Sequence, residues 1–157
     1  MKSRLYLETT IPSYLTSRPS RDLIVAGRQQ ITRDWWDERR GAFQLYISQL
    51  VIDEVGAGDP AAARDRLRVL QDLPLLDITF EVAELAASML ASGTIPGKAA
   101  TDAAHIAIAA VHGMDFLVTW NCVHIANATI AKSLASICRA HACECPVICT
   151  PEELMGG

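Results

Sequence analysis

The chain has 157 residues, of which 50% are hydrophobic and 20% are charged, and its formal net charge is −4. This composition is that of a folded globular protein and excludes a disordered chain. The acidic excess lies in the second half of the sequence. Bulk charge therefore provides no field for a nucleic acid, and a polyanionic partner would have to use local arginines. A chain of this length can bury a sizeable core, so we predict a single domain over residues 1–157.

The N-terminal segment and the cysteines indicate where the protein acts. The start, MKSRLYLETT, has no apolar stretch before Glu8, so we predict no secretory signal. No segment holds the roughly 18 uninterrupted apolar residues of a membrane span. Five cysteines, an odd number clustered late in the chain, then favour reduced thiols in a cytoplasm. The run from Cys138 to Cys149 lacks the paired spacing of structural zinc sites, so we predict buried, unpaired thiols.

Hydrophobic periodicity and turn residues divide the chain into strands separated by helices. The predicted strands are RLYLE (4–8), FQLYIS (43–48), LLDIT (75–79), FLVT (116–119) and PVICT (146–150). The predicted helices cover 20–40, 50–55, 60–72, 80–91, 99–112 and 126–142, and TTIPSY (9–14) is predicted to be a loop. Strands this apolar must be covered on both sides. We therefore predict a three-layer α/β domain with a mostly parallel central sheet and helices on both faces.

Polar residues gather at one edge of this predicted sheet. In open parallel sheets, sites form outside the carboxyl ends of the strands. Glu8 ends the first strand, Glu54 lies just beyond the second, and Thr119 and Asn121 lie at the end of FLVT. Asp102 opens the helix that leads into FLVT, and that helix begins where the strands end because it runs antiparallel to them. We therefore expect these five residues to lie at the same edge.

Converging carboxylates suggest a metal site, because they repel one another unless a cation lies between them. Hard oxygen ligands suit Mg²⁺ or Mn²⁺ better than zinc, and such ions activate water and stabilise charge on a phosphoryl group. Each acid also has a simpler interpretation. Asp102 complements its helix dipole without a metal, and Glu54 is a solvated residue if its neighbour Asp53 is the inward acid. The spacing of the apolar residues around them does not decide whether Asp53 or Glu54 faces inward. Glu8, in an apolar strand, needs partners or a cation.

Three further polar residues lie close to these positions in the sequence. His105 follows Asp102 by three residues and shares its helix face, and we expect it to pack or to form hydrogen bonds. For His124, a turn residue is expected, with a substrate contact as the alternative. Asp115 precedes FLVT at the amino end of the strand, so we exclude it from the site.

Four segments that carry these residues resemble, in order, the motifs of the PIN-domain family of metal-dependent ribonucleases, especially the VapC-like toxins of type II toxin–antitoxin pairs. The matching segments are YLETTIPSY with Glu8 and Thr10, VIDEV with Glu54, TDAAHIAIA with Asp102, and LVTWN with Asn121. Two positions depart from the family pattern. Glu8 replaces the usual Asp, and Asn121 is neutral where many relatives carry a fourth acid.

The resemblance implies a Mg²⁺- or Mn²⁺-dependent endoribonuclease, with an RNA substrate, a cognate antitoxin protein and a homodimeric assembly. The implied site consists of the metal ligands Glu8, Glu54 and Asp102, of Asn121 as a neutral fourth ligand or water-positioning residue, and of Thr10 and Thr119 in support. The arginines considered for RNA backbone contacts are Arg18, Arg21, Arg39 and Arg40. The alternative, favoured by the two departures, is a PIN-like module that binds RNA or a protein partner without cleaving.

Overall fold

The computed structural model describes residues 1–156 and consists of a parallel sheet flanked by helices. The strands are β1 (Ser3–Leu7), β2 (Phe43–Ser48), β3 (Leu75–Leu76), β4 (Phe116–Val118) and β5 (Val147–Cys149). The α-helices are α1 (Thr10–Thr16), α2 (Leu23–Glu38), α3 (Gln49–Val55), α4 (Pro60–Val69), α5 (Phe80–Ala91), α6 (Ala100–Val111) and α7 (Ala131–Ala140). Short 3₁₀ helices cover Arg40–Ala42, Gly97–Ala99, Ala128–Ile130 and Pro151–Leu154. None of the helices within residues 1–156 is long and apolar enough to cross a bilayer.

The sheet has the strand order β3–β2–β1–β4–β5, and every neighbouring pair is parallel. From β1 the chain moves outward through β2 and β3, then returns to the other side of β1 to form β4 and β5. The order therefore reverses between β1 and β4, where Leu7 pairs with Val118. In sheets of this kind, ligands bind outside the carboxyl ends of the strands at such a reversal.

The central strand β1 is buried from both sides, as the three-layer prediction requires. Its residues Leu5, Tyr6 and Leu7 are all 0% exposed. Successive side chains of a strand point to opposite faces. Tyr6 contacts His105 of α6, so Leu5 and Leu7 face the other layer. The helices likewise form two groups in contact among themselves, α1 with α2 and α4, and α5 with α6 and α7. The predicted three-layer α/β fold is confirmed.

Several element boundaries differ from the prediction. The prediction of a loop at TTIPSY is wrong, since Thr9 is the N-cap residue of α1 and the rest of the segment lies in this helix. The helix tolerates Pro12 because this residue lies in the first turn, where a missing N–H breaks no helical hydrogen bond. Helix α2 begins after Asp22 rather than Ser20, since the Asp22 carboxylate accepts from the backbone N–H groups of Ile24 and Val25. The predicted strand 75–79 is only two residues long, and α7 is shorter than the predicted helix 126–142.

Candidate active site

Glu8 lies directly after β1 and is almost fully buried, with 4% of its surface exposed. Its Oε1 accepts hydrogen bonds from the Thr10 backbone N–H at 3.0 Å, the Thr10 hydroxyl at 2.5 Å and the Thr119 hydroxyl at 2.6 Å. Thr119 follows β4, so its contact with Glu8 spans the reversal in strand order. Three donors on one oxygen give this buried carboxylate the partners that its desolvation requires.

Glu54, and not Asp53, is the inward acid of α3. Its Oε1 accepts from the Thr9 hydroxyl and from Nε2 of His105, both at 2.6 Å, and its side chain is 34% exposed. Asp53 is exposed and accepts from the side-chain amide of Gln49 on the outer face of the same helix. The structure thus selects between two acids that the sequence pattern left open.

Asp102 lies in the first turn of α6, where it faces the loop that follows β4. Its Oδ2 is 3.1 Å from Nδ1 of His124, and the two side chains are 21% and 26% exposed. The backbone N–H of His124 donates to Oδ1 of Asn121 at 3.1 Å. The expected turn role of His124 is confirmed, and its ring also contacts an acid of the site, which the sequence did not indicate.

The three carboxylates share one arrangement. In each, protein groups hold one oxygen: Oε1 of Glu8, Oε1 of Glu54 and Oδ2 of Asp102. No group within residues 1–156 hydrogen-bonds to the second oxygen of any of them. Such partners orient metal-binding carboxylates and leave the other oxygen available to a ligand.

A continuous set of contacts links the acids. The backbone N–H of Asn121 donates to the Thr119 hydroxyl at 2.9 Å, and that hydroxyl donates to Glu8. The side chain of Asn121 accepts from His124, whose ring contacts Asp102. On the other side, Thr9, next to Glu8 in the chain, donates to Glu54. The structure therefore brings all the predicted site residues to the carboxyl edge of the sheet.

Local electrostatics keep Glu54 ionised. Burial opposes ionisation of Glu54, but hydrogen bonds from His105 and Thr9, together with the charge interaction with His105, outweigh it and lower the pKa of the carboxyl group. For Tyr6, burial raises the pKa of the phenol well above its ordinary range, and the nearby charges of Glu8 and Glu54 act in the same direction. Tyr6 therefore keeps its proton beneath the acids.

The donor chemistry of the site fits a hard divalent cation, since it consists of carboxylate oxygens at a sheet edge. The carboxylates are not gathered around one point, however. Within residues 1–156, no group of three or more His, Cys, Asp or Glu side chains lies close enough to hold a metal ion. Glu8, Glu54 and Asp102 are thus oriented one by one by their protein partners rather than preformed as a closed cage.

Arg28, which was not among the predicted RNA-contacting arginines, contacts the loop that follows β4. The guanidinium of Arg28 lies 5.2 Å from the ring centroid of Trp120, which stands between Thr119 and Asn121 in the chain. Of the four arginines considered, Arg39 and Arg40 precede β2 and lie at the opposite, amino edge of the sheet. Arg18 and Arg21 are exposed between α1 and α2. The position of Arg28 is set by its cation–π pair with Trp120. That pair exists only in the folded chain, so the sequence did not indicate it.

Asp115 and the cysteines lie outside this site. Asp115 accepts from the backbone N–H of Arg4 at 2.8 Å at the amino edge of the sheet, as its exclusion predicted. All five cysteines are free, which agrees with the prediction of unpaired thiols. Within the run predicted to be buried, Cys138 and Cys149 are buried. Cys143 and Cys145 are only half-buried, because they lie in the segment between α7 and β5, so the prediction of burial is wrong for these two. Cys122, outside that run, is exposed in the loop beyond β4.

Comparison with known proteins shows the family to which a chain with this fold and this set of acids belongs. The family model described as the PIN domain matches residues 23–121, which is more than half of the chain. The chain therefore belongs to the PIN-domain family. The matched range contains Glu54, Asp102 and Asn121 and begins after Glu8.

Among solved structures, the chain is similar to VapBC2 from Rickettsia felis, solved bound to a DNA fragment from their promoter. The TM-score is 0.58 at 14% sequence identity, and the alignment covers 93% of this chain and 97% of that chain. At this identity the similarity establishes a shared fold. No curated protein matches the chain in sequence.

Proposed function

We propose that the protein is a Mg²⁺- or Mn²⁺-dependent endoribonuclease that acts as the toxin of a type II toxin–antitoxin pair. The observation that carries the proposal is the shared arrangement of the three acids. Glu8, Glu54 and Asp102 each have one oxygen held by protein donors and a second oxygen without a protein partner. They lie at the strand-order reversal of a PIN-domain fold, where such sheets bind ligands.

In this proposal, Glu8, Glu54 and Asp102 hold the cation through their free oxygens. A bound divalent cation would activate water and stabilise negative charge on the phosphoryl group. Thr10 and Thr119 keep the Glu8 carboxylate in one orientation, since both donate to its Oε1.

Asn121 has a more specific role than a fourth ligand. Its Oδ1 already accepts from the His124 backbone, whereas its Nδ2 has no partner within residues 1–156. We therefore assign Nδ2 to a hydrogen bond with water or with a phosphate oxygen of the RNA. Arg28, held over Trp120, supplies the nearby positive charge for the RNA backbone.

The proposed partners follow from the fold and from the exposed apolar surface. The similar VapBC2 structure contains a toxin–antitoxin complex, which supports a cognate antitoxin protein for this chain. We also propose a homodimer. Its support is the exposed apolar start of α2, where Leu23 is 88% and Ile24 69% exposed. A nuclease that acts on cellular RNA beside an antitoxin would work in the cytoplasm.

The test is cleavage of single-stranded and structured RNA by the purified protein, with Mn²⁺ and with chelator. We expect cleavage with Mn²⁺ only, and we expect Asp102→Asn to abolish it. The matched control is Asp115→Asn, the same change at the opposite edge, where the amide oxygen can still accept from Arg4. Asp115→Asn should cleave like the wild type.

The results separate the proposal from its alternative. Cleavage that is insensitive to chelator would contradict the metal dependence. Equal cleavage by Asp102→Asn and the wild type would show that Asp102 is only a helix-start acid. RNA binding without cleavage under every metal condition would support the non-cleaving PIN-like module. Two observations favour that module: the carboxylates are not gathered around one point within residues 1–156, and Asn121 is neutral.

A further inference from the structure

Beneath the acids lies a chain of buried polar side chains that the proposed function does not use. Ser48 at the end of β2, Tyr6 of β1 and His105 of α6 are each 0% exposed. The Tyr6 hydroxyl is 2.7 Å from the Ser48 hydroxyl and 2.8 Å from Nδ1 of His105, and Nε2 of His105 is 2.6 Å from Oε1 of Glu54. A polar chain in a core is costly unless every member is satisfied.

We infer that His105 is a positioning residue that orients the Glu54 carboxylate through a fixed Nε2–H tautomer, and that Tyr6 and Ser48 set this tautomer. The inference rests on the proposed function in one respect, namely that the orientation of Glu54 matters for cation binding. The hydrogen-bond chain itself does not depend on any metal or substrate.

The direction of each hydrogen bond follows from what each group can do. An ionised Glu54 only accepts, so Nε2 of His105 must carry a proton. On a neutral ring Nδ1 is then an acceptor, and the one neighbour that can donate to it is the Tyr6 hydroxyl. With its proton directed at His105, Tyr6 accepts from the Ser48 hydroxyl. With a neutral ring, this arrangement satisfies all four groups.

The consequence for the site is control of one carboxylate. His105 and Thr9 both donate to Oε1 of Glu54, so rotation of the carboxylate would break two hydrogen bonds of 2.6 Å. Its Oε2 is therefore kept free for a ligand. Thr9 is the half-buried N-cap residue of α1, whereas His105 is fully buried in the core, so the more rigid part of this restraint comes from the imidazole.

Two substitutions of His105 separate positioning from mere core packing. Gln places an amide N–H near the position of Nε2, whereas Asn places its amide near Nδ1 and leaves Glu54 without this donor. We expect His105→Asn to weaken Mn²⁺ binding about 10- to 100-fold, measured by titration calorimetry without RNA. His105→Gln should recover most of that loss. The control is His112→Asn at the C-cap of the same helix, where the ring contacts the Asp77 carbonyl away from the site.

The tautomer is tested directly by ¹⁵N NMR of the histidine rings in metal-free protein at a pH where His105 is neutral. We expect a protonated Nε2 and an unprotonated Nδ1 for His105, and loss of this preference in Tyr6→Phe, which keeps the aromatic ring but removes the donor. A proton on Nδ1 in the neutral wild type would overturn the inference.

The two measurements distinguish a failure of the proposed function from a failure of the positioning role of His105. If the wild type binds no Mn²⁺, the proposed function fails, and the NMR result still decides the hydrogen-bond chain. If the wild type binds Mn²⁺ and His105→Asn binds it equally well, the positioning role is wrong while the proposed function stands. Equal losses in His105→Asn and His105→Gln, with both folded by circular dichroism, would also contradict it.

Discussion

The hydroxyl of Thr119 donates a 2.6 Å hydrogen bond to Oε1 of Glu8, although the two residues are 111 positions apart in the chain. Pairing of β1 with β4 makes this contact possible, since Leu7 and Val118, the residues just before them, are partners in the sheet. The bond therefore joins the ends of two strands and fixes an acid at the edge where the site lies.

Removal of this hydroxyl should destabilise the fold. Thr119→Val keeps the β-branched shape but leaves the buried Glu8 with one donor fewer, at a cost of about 1 to 3 kcal/mol. Urea unfolding at neutral pH in chelator measures the change. The control is Thr101→Val at an exposed position of α6, which we expect to alter stability by less than about 0.5 kcal/mol. Equal effects of the two changes would mean that the Thr119 hydroxyl contributes nothing specific.

The lowered pKa of Glu54 predicts a pH dependence of stability. Because its pKa in the folded protein lies below the ordinary value of 4.5, ionised Glu54 stabilises the fold fully above that value. The contribution is lost as the pH falls through the lower, folded-state pKa. Glu54→Gln keeps an acceptor for Thr9 and His105 but has no charge. In chelator, we expect its stability deficit relative to the wild type to be largest near neutral pH and to shrink below about pH 4.5. A deficit that is constant from pH 7 to pH 3 would contradict this.

An added charge at Asn121 should strengthen cation binding. In Asn121→Asp, one carboxylate oxygen can still accept from the His124 backbone, and the other is free, as in the three natural acids. We expect tighter Mn²⁺ binding by titration calorimetry, by about tenfold, because a fourth negative charge joins the site. Gln71→Glu adds the same charge at an exposed position before β3, at the amino edge, and should leave the affinity unchanged. A similar gain in both variants would point to net charge alone.

Arg28 should contribute to RNA affinity through the phosphate backbone. Arg28→Ala removes one positive charge beside Trp120, and we expect weaker binding to RNA of any sequence. In a plot of the logarithm of the affinity against the logarithm of the salt concentration, we expect the magnitude of the slope to fall by about 1. Fluorescence anisotropy over a range of salt concentrations measures both. Arg33→Ala, at a half-buried arginine of the same helix that donates to the side chain of Gln30, is the control and should keep the wild-type slope. If the two variants behave alike, α2 acts only through its overall charge.

The sequence by itself determined the order of the elements and the edge at which the acids lie. Helix α5 has the predicted bounds, Phe80–Ala91, and α6 differs by one residue at each end. Glu8 and Asp102 were placed correctly because their positions follow from where a strand ends and where a helix begins, which are local properties of the chain. The exception among the helices is α1, which lies where the sequence predicted the loop TTIPSY.

Only the tertiary structure decided which groups hold each acid. The contacts of Glu54 with His105 and of Tyr6 with His105 join residues 51 and 99 positions apart. The choice between Asp53 and Glu54 depended on the same packing of α3 against the site. Such pairs depend on strand order and on side-chain rotamers, and periodicity reports neither. The free second oxygen of each carboxylate is therefore a property of the folded chain, because it exists only where distant donors have engaged the first.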